Sequence, residues 1–241
     1  MKKILFVFVV LVSVLSSCSS SDDDKGIELM SKDVVLSFEE EYKIDAKSES
    51  KILYTSENKY HASVSENGTI TGGRVGETNI LLNNGEDTKK IKVTIEAKSN
   101  LYPEPNLEFG ISRADLIKKL GKPDNNSDDG IAYTSFSANA PIAAYFFDEN
   151  DRLSSVAVMV KTSQSSNLGK FLVERYVPFS SENGLVLFMN ALVVKDVTML
   201  VGAKVFNLSY WQVLYTTPTN LDSRMSSSIS VDDELNSLLK F

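Results

Sequence analysis

The N-terminal segment constrains this chain most, because it predicts export across a membrane and removal of the first residues. Lys2 and Lys3 precede an unbroken apolar run from Ile4 to Leu15, and two small serines then lead to Cys18. A charged start followed by an apolar run too short to span a bilayer stably is typical of a signal peptide. We therefore predict that residues 1–17 are a signal peptide and that the mature chain begins at Cys18.

The sequence Leu15-Ser16-Ser17-Cys18 resembles the lipobox at which bacterial lipoproteins are cleaved and acylated. This resemblance implies a lipid anchor on Cys18 as the contact with the membrane. Residues 18–26 then form a tether that we expect to be disordered, because Ser19 to Gly26 contain no apolar side chain to bury.

The run Ser21-Asp22-Asp23-Asp24 resembles the acidic export signal of Bacteroidota surface lipoproteins. It implies an outer-membrane lipoprotein that faces the cell exterior. A periplasm-facing lipoprotein of the outer membrane is the alternative.

Composition limits the remaining possibilities. The formal net charge of −7 makes nucleic acid an unsuitable partner, and the charge becomes more negative once Lys2 and Lys3 are removed. Cys18 is the only cysteine, so an acylated chain has no thiol for disulfides or thiolate chemistry. A length of 241 residues predicts two domains.

Residues 27–97 have the pattern of an all-β domain. Asn67-Gly68 and Asn83-Asn84-Gly85 predict two hairpin turns, because these residue types tolerate the positive φ of tight turns. After the second turn Ile91, Val93 and Ile95 alternate with polar residues, which predicts a strand with one buried face.

The run Val64-Ser65-Glu66-Asn67-Gly68-Thr69-Ile70-Thr71-Gly72, with the strand that ends in Ile95, resembles the group 2 bacterial immunoglobulin-like domain. The resemblance covers nearly all of 27–97 and implies a sandwich that acts as a spacer or adhesion module. Family members usually carry Trp where this chain has Tyr54.

A second domain is predicted at 106–241, after a linker at 98–105 that contains Pro103 and Pro105. We expect few contacts across this linker. Ser112 and Asp115 form a capping box for a helix from Arg113 to Leu120, which Gly121 and Pro123 end. A second helix, carrying Leu168, Phe171, Leu172 and Tyr176, ends before Pro178.

Three predicted strands follow each helix: 131–137, 142–147 and 153–160 after the first, and 185–194, 198–206 and 210–216 after the second. Two tandem α-β-β-β units predict an α+β domain, with an antiparallel sheet and both helices on one face. The start of the domain, from Phe109 to Asp124, is similar to β-lactamase-inhibitor-protein-like lipoproteins of the SmpA/OmlA type. This similarity implies that the open face of the sheet binds another protein.

Residues 220–230 are rich in serine, and we expect them to be mobile. Ser230 and Asp233 then predict the cap of a last helix that carries Val231, Leu235, Leu238 and Phe241 on one side. We expect this helix to dock on the body.

We identify no catalytic, metal or cofactor-binding residues in the sequence. Asp124, Asn126 and Asp128 have the alternate spacing of a calcium loop, but Asp129 stands where its glycine should be and Ser135 where its glutamate should be. His61 is an ordinary strand or loop residue, because no second histidine or free cysteine completes a zinc set.

Tyr210, Gln212 and Leu214 form the candidate binding face, because they alternate with Trp211, Val213 and Tyr215, which we expect in the core. The preferred function is a non-enzymatic cell-surface lipoprotein whose Ig-like spacer presents a protein- or glycan-binding module. The alternatives are a periplasm-facing assembly accessory of the outer membrane and a hydrolase with an unrecognised site.

Overall fold

The computed structural model describes residues 26–218. The predicted signal peptide, Cys18, the acidic run of the tether and the predicted C-terminal helix lie outside these residues. Between residues 26 and 218, no helix is long and apolar enough to cross a membrane.

Nine strands make up the first domain. They are β1 (Glu28–Leu29), β2 (Asp33–Ser37), β3 (Glu41–Lys43), β4 (Ala46–Lys47), β5 (Leu53–Ser56), β6 (Ala62–Val64), β7 (Thr69–Gly72), β8 (Gly76–Asn83) and β9 (Thr88–Glu96). A sheet of order β2-β9-β8-β5 faces a smaller sheet of order β3-β7-β6, and β1 pairs with β4. The strands β2 and β9 are parallel, whereas the other pairs are antiparallel.

One apolar core holds the two sheets together. Ile70 comes from the smaller sheet, whereas Ile80, Ile91, Val93 and Ile95 come from the larger one, and all five are buried in one cluster. The predicted alternation along β9 is confirmed, since Lys92 and Glu96, which alternate with the buried residues, are exposed and Thr94 is half-buried.

Both predicted hairpin turns are confirmed. Residues Asn67-Gly68 join β6 to β7, and the Asn-Asn-Gly turn joins β8 to β9. Gly68 has a φ of 78°, and a Cβ there would lie 2.7 Å from the Tyr54 ring. The ring packs directly on the turn, so this position requires glycine for both its backbone angle and its space.

Up to residue 218, the second domain has two α-helices and eight strands. They are α1 (Arg113–Leu120), β10 (Asn125–Ser127), β11 (Gly130–Tyr133), β12 (Ile142–Phe147), β13 (Leu153–Lys161), α2 (Ser165–Arg175), β14 (Val177–Glu182), β15 (Leu185–Met189), β16 (Leu200–Val205) and β17 (Tyr210–Thr216). Short 3-10 turns lie at Thr162–Gln164 and Val194–Asp196.

All eight strands form one sheet, in the order β10-β11-β12-β13-β17-β16-β15-β14, and every neighbouring pair is antiparallel. Each half of the domain is therefore a helix followed by a four-stranded meander, and the last strands of the two halves pair at the centre. Each unit has one strand more than the predicted α-β-β-β pattern. The additional strands are the short β10 and the edge strand β14, whose Pro178 removes a backbone donor.

Both helices pack on one face of the sheet. Leu116 of α1 and Leu168, Phe171 and Leu172 of α2 join sheet residues in the largest buried cluster. The predicted fold class, an all-β sandwich followed by an α+β domain with its helices on one face, is confirmed. The segment predicted as a linker also contributes to this cluster, because Leu101 and Tyr102 are buried in it.

The prediction of an open face at Tyr210, Gln212 and Leu214 is wrong for two of these residues. Gln212 is 2% exposed and Leu214 is 5% exposed, while Tyr210 is half-buried. The reason is that β17 is a central strand and both faces of the sheet carry apolar clusters. Alternation along such a strand separates two buried sides rather than a buried side from a wet one.

Candidate functional site

The C-terminal end of α2 is the point at which the two domains meet. The last carbonyls of a helix have no partner within it and need donors from elsewhere. The backbone N–H of Val75 donates to the Glu174 carbonyl at 2.9 Å, and the Tyr60 hydroxyl donates to the Arg175 carbonyl at 2.5 Å. The Ig-like domain therefore supplies donors to the end of this helix.

The chain between the domains is bound to the same helix end. The backbone N–H of Ser99 donates to Glu174 Oε2 at 2.9 Å, and Arg175 Nη1 donates to the Ser99 carbonyl at 3.3 Å. The Arg175 guanidinium also lies 3.8 Å from the centroid of the Phe171 ring. These contacts depart from the expectation of few contacts across the linker.

A cleft of about 690 Å³ opens beside this junction. Its lining combines aromatic, charged, amide and small apolar side chains from both domains. Those residues are Asn58, Lys59, Tyr60, His61 and Val75 from the Ig-like domain, and Glu104, Arg175, Tyr176, Asn190, Ala191, Leu192 and Asp196 from the chain that follows.

Glu104 occupies the wall of the cleft between two donors. The Tyr176 hydroxyl donates to Oε2 at 3.0 Å, and Arg175 Nε lies 3.1 Å from Oε1. The side chain keeps 42% of its surface exposed. The surrounding walls nevertheless exclude enough water to raise the pKa of the Glu104 carboxyl, and its hydrogen bonds to Tyr176 and Arg175 oppose that rise only in part.

Burial also affects the tyrosines of this region. Loss of water raises the pKa of Tyr60 to about 12, although the positive charge of Arg74 acts in the opposite direction. The same cause raises the pKa of Tyr176, and the neighbouring Glu104 carboxylate adds to the effect. Both hydroxyls are therefore neutral at physiological pH and act as hydrogen-bond donors.

The mouth of the cleft has a different character from its wall. Lys59 and Asp196 are exposed charged residues of the lining, whereas Leu192 is an exposed aliphatic one. Val193 and Val194 continue from Leu192 as an exposed apolar edge on the loop before β16. Three consecutive exposed aliphatic residues are unusual on a solvated surface and are typical of a contact site. The cleft therefore offers donors, acceptors and an apolar edge, which is the composition of a ligand-binding site.

His61 lines this cleft, which sequence reasoning missed. Its Nδ1 lies 3.0 Å from the Arg74 carbonyl, and its ring is in edge contact with Tyr60 at 5.3 Å between centroids. By contrast, Gln212 and Leu214 of the predicted binding face lie in the sheet interior. The cleft was missed because it brings together segments more than 100 residues apart. In the sequence, only the Tyr60-His61 pair and the apolar run at 192–194 could have indicated a binding site here.

The loop with calcium-like spacing is held by an arginine. Arg113 Nη1 donates to Asn126 Oδ1 at 3.2 Å and to the Ser127 carbonyl at 2.6 Å, while Nε pairs with Asp151 at 2.7 Å. The guanidinium therefore already binds Asn126 Oδ1, which belongs to one of the three side chains that the calcium-like spacing would use. Across residues 26–218, no group of three or more His, Cys, Asp or Glu side chains could hold a metal ion.

Several solved structures have a weak likeness to this chain. A GH10 xylanase from termite gut that contains a bacterial Ig-like domain is 19% identical over 36% of this chain and 23% of that chain, with a TM-score of 0.26. Domains 4–9 of the surface layer protein SbsC are 14% identical over 80% of this chain and 26% of that chain, with a TM-score of 0.27.

A third such structure is a SusE-like surface-located polysaccharide-binding protein from the Bacteroides thetaiotaomicron heparin utilisation locus. It is 9% identical over 78% of this chain and 34% of that chain, with a TM-score of 0.23. The chain thus spans about a quarter of the first two proteins and about a third of this one. No curated protein matches the chain.

The protein family that matches this chain agrees with the fold and the bounds of the first domain in the structure. Residues 30–95 match the bacterial Ig-like domain of group 2, and they contain β2 to β8, most of β9 and both hairpin turns. The chain therefore carries a group 2 bacterial Ig-like domain at residues 30–95, followed by an α+β domain with an eight-stranded sheet.

Proposed function

We propose that this protein is a non-enzymatic cell-surface lipoprotein, anchored to the outer membrane through Cys18, that binds a glycan in the cleft between its two domains. The observation that carries the proposal is the cleft itself, because it is built jointly by the Ig-like domain and the α+β domain. The Ig-like domain then acts as more than a spacer, since Lys59, Tyr60 and His61 form one wall.

The chemistry of the cleft supports a glycan as ligand. A sugar presents hydroxyl groups that both donate and accept hydrogen bonds, and its C–H faces contact apolar and aromatic surfaces. Lys59 offers donors, Asp196 offers acceptors, and Leu192 offers an apolar surface, all at the mouth. The volume of the cleft is in the range of small-ligand sites, which suits a short oligosaccharide rather than a folded partner.

Binding of a polypeptide segment is the second candidate, and the apolar edge at Leu192, Val193 and Val194 favours it. The sequence resemblance of residues 109–124 to β-lactamase-inhibitor-protein-like modules also implies a protein partner. A peptide ligand would use the apolar edge more than the charged residues of the mouth.

A glycan array probed with residues 19–241 tests the proposal, followed by calorimetry with any glycan that binds. We expect Lys59→Ala and Asp196→Ala each to weaken binding by about 3- to 10-fold, the equivalent of one lost hydrogen bond. Lys118→Ala on the exposed surface of α1 is the matched control and should bind as the wild type does. Glycan affinity that is unchanged in both cleft variants would refute the cleft as the site.

The anchoring and orientation have separate tests. Cys18→Ala should be exported but lost from the membrane fraction, because the acyl chains provide the hydrophobic anchor.

Protease added to intact cells should remove the wild-type protein if it faces the exterior. Protection from protease would instead support the periplasm-facing alternative, and shortening of a bound glycan over time would show that the protein is a hydrolase.

A further inference from the structure

The face of the large sheet opposite the helices carries its own buried apolar cluster, which we call the inner face. It consists of Ala132, Ile142, Ala144, Phe146, Ala157, Met159 and Leu214. Partly buried Phe206 and Tyr210 pack against it. All of these residues belong to strands or to the loop before β17, so among residues 26–218 neither α-helix contributes to this cluster.

A row of small residues between larger ones crosses the inner face, and we call this row the trough. In the strand register, Ala132 pairs with Ala144, Ala144 with Ala157, Ala157 with Leu214, and Leu214 with Gly202. This row crosses five adjacent strands, and small residues fill all but one of its positions. Phe146 and Met159 lie on either side of it. A row of small side chains between larger ones leaves room for a helix to pack across a sheet.

Gln212 lies in the wall of this trough and is a second indication of an occupant. It pairs in register with Met159 on one side and Lys204 on the other, next to the row of small residues. The side chain is 2% exposed, yet its amide Nε2 has no hydrogen-bond partner among the described residues. Buried amide groups almost always have a partner, so an acceptor from outside residues 26–218 is expected here.

The sequence beyond residue 218 supplies a suitable occupant. The central strand β17 ends at Thr216, beside the inner face, and the chain continues to Phe241. Val231, Leu235 and Leu238 recur at helical spacing after a cap formed by Ser230 and Asp233. Residues 219–229 are long enough to return the chain over the sheet, since an extended segment spans about 3.3 Å per residue.

The N-terminal residues outside the structure suit the inner face less well. Residues 1–17 are predicted to be removed with the signal peptide, and Ser19 to Lys25 carry no apolar side chain. Only the C-terminal segment therefore combines an apolar stripe with a starting point at the sheet centre.

We propose that residues 231–241 form a helix that packs in the trough of the inner face and covers it with Val231, Leu235 and Leu238. The α+β domain then has three layers, with α1 and α2 on one side of the sheet and the C-terminal helix on the other. The inner face is consequently closed by the chain itself and is not available to a partner. This proposal is independent of glycan binding in the cleft.

Hydrogen–deuterium exchange on residues 19–241 tests this directly. We expect the amides of 235–241 to exchange at least about tenfold more slowly than in an unstructured chain, because a docked helix protects them. Exchange of these amides at the unstructured rate would overturn the proposal. The same would follow if the wild type bound a hydrophobic dye as strongly as a Leu235→Asp, Leu238→Asp double variant does, since the inner face would then be open in both proteins.

A pair of variants tests which side of the segment docks. The double change Leu235→Asp with Leu238→Asp should abolish the protection, increase binding of the dye and lower Tm by about 5 °C or more. The control, Asn236→Asp with Ser237→Asp, adds the same charge on the opposite side of the helix and should remain close to the wild type in all three measurements. Equal effects of the two double variants would contradict the proposed docking.

Discussion

At the scale of single residues, several tyrosine hydroxyls are withdrawn from water. The hydroxyls of Tyr102 and Tyr215 lie 2.8 Å apart in the core of the α+β domain. Loss of water raises the pKa of both. The same cause raises the pKa of Tyr60 and of Tyr145 to about 12. Each of these hydroxyls therefore holds its proton more strongly in the folded state than in the unfolded state.

These shifts predict loss of stability at alkaline pH. Unfolded tyrosines ionise near pH 10, while Tyr60 and Tyr145 remain neutral in the folded protein until about pH 12. Their contribution to stability is therefore complete below pH 10 and is lost as pH rises towards 12. Urea unfolding at pH 9, 10 and 11 should show a falling free energy, and a value that stays constant or rises would contradict this account.

The absence of a Cβ at Gly76 leaves the space that the His61 ring occupies. The φ of Gly76 is 140°, and a Cβ at this position would lie 2.3 Å from the His61 ring. Gly76→Ala should destabilise the protein by about 1–3 kcal/mol through backbone strain and the displaced ring. Gly169→Ala, on an open surface of α2, is the control and should stabilise by about 0.5–1 kcal/mol. Thermal unfolding of the two variants measures these changes, which should have opposite signs.

At the scale of elements, the sequence was sufficient to predict helices and strands whose bounds depend on neighbouring residues. The sequence predicted the bounds of α1, β12 and β17 as the structure has them, because caps, turns and alternation act within a few residues. The edge strand β14 was missed, since its Pro178 and polar residues do not resemble a strand. The predicted strand 185–194 was too long, because its last apolar residues form the exposed edge of the cleft.

Long-range features could not be predicted in this way. Alternation separated the two sides of β17 correctly, but it could not show that Gln212 faces a second buried cluster, since strand order decides this. The cleft was equally hidden, because the Tyr60 hydroxyl meets the Arg175 carbonyl only after both domains have folded.

The cap of α1 gives a prediction at this scale. Ser112 Oγ accepts from the Asp115 backbone N–H at 3.2 Å and its hydroxyl donates to the Asp115 carboxylate at 2.7 Å. Ser112→Ala should lower the free energy of unfolding by about 1 kcal/mol. Ser166→Ala, at an exposed position near the start of α2, should have little effect. Urea unfolding of both variants checks the difference, and equal values would show that the capping contact adds nothing.

At the scale of the whole molecule, the helix end at Glu174 and Arg175 couples the two domains. Tyr60→Phe removes one hydroxyl from this junction and should lower stability by about 0.5–1.5 kcal/mol, the range for a single hydrogen bond. Tyr42→Phe, in β3 and away from the junction, serves as control and should be nearly neutral. Small-angle scattering should also show a wider range of domain orientations for Tyr60→Phe alone.

The most direct test of the joint cleft is an NMR titration of isotopically labelled residues 19–241 with a glycan that binds on the array. The account predicts chemical-shift changes at Lys59–His61 in the Ig-like domain and at Asn190–Asp196 in the α+β domain, with the same dissociation constant for both sets. Shift changes confined to one domain, or located away from these two segments, would contradict a ligand site built by both domains.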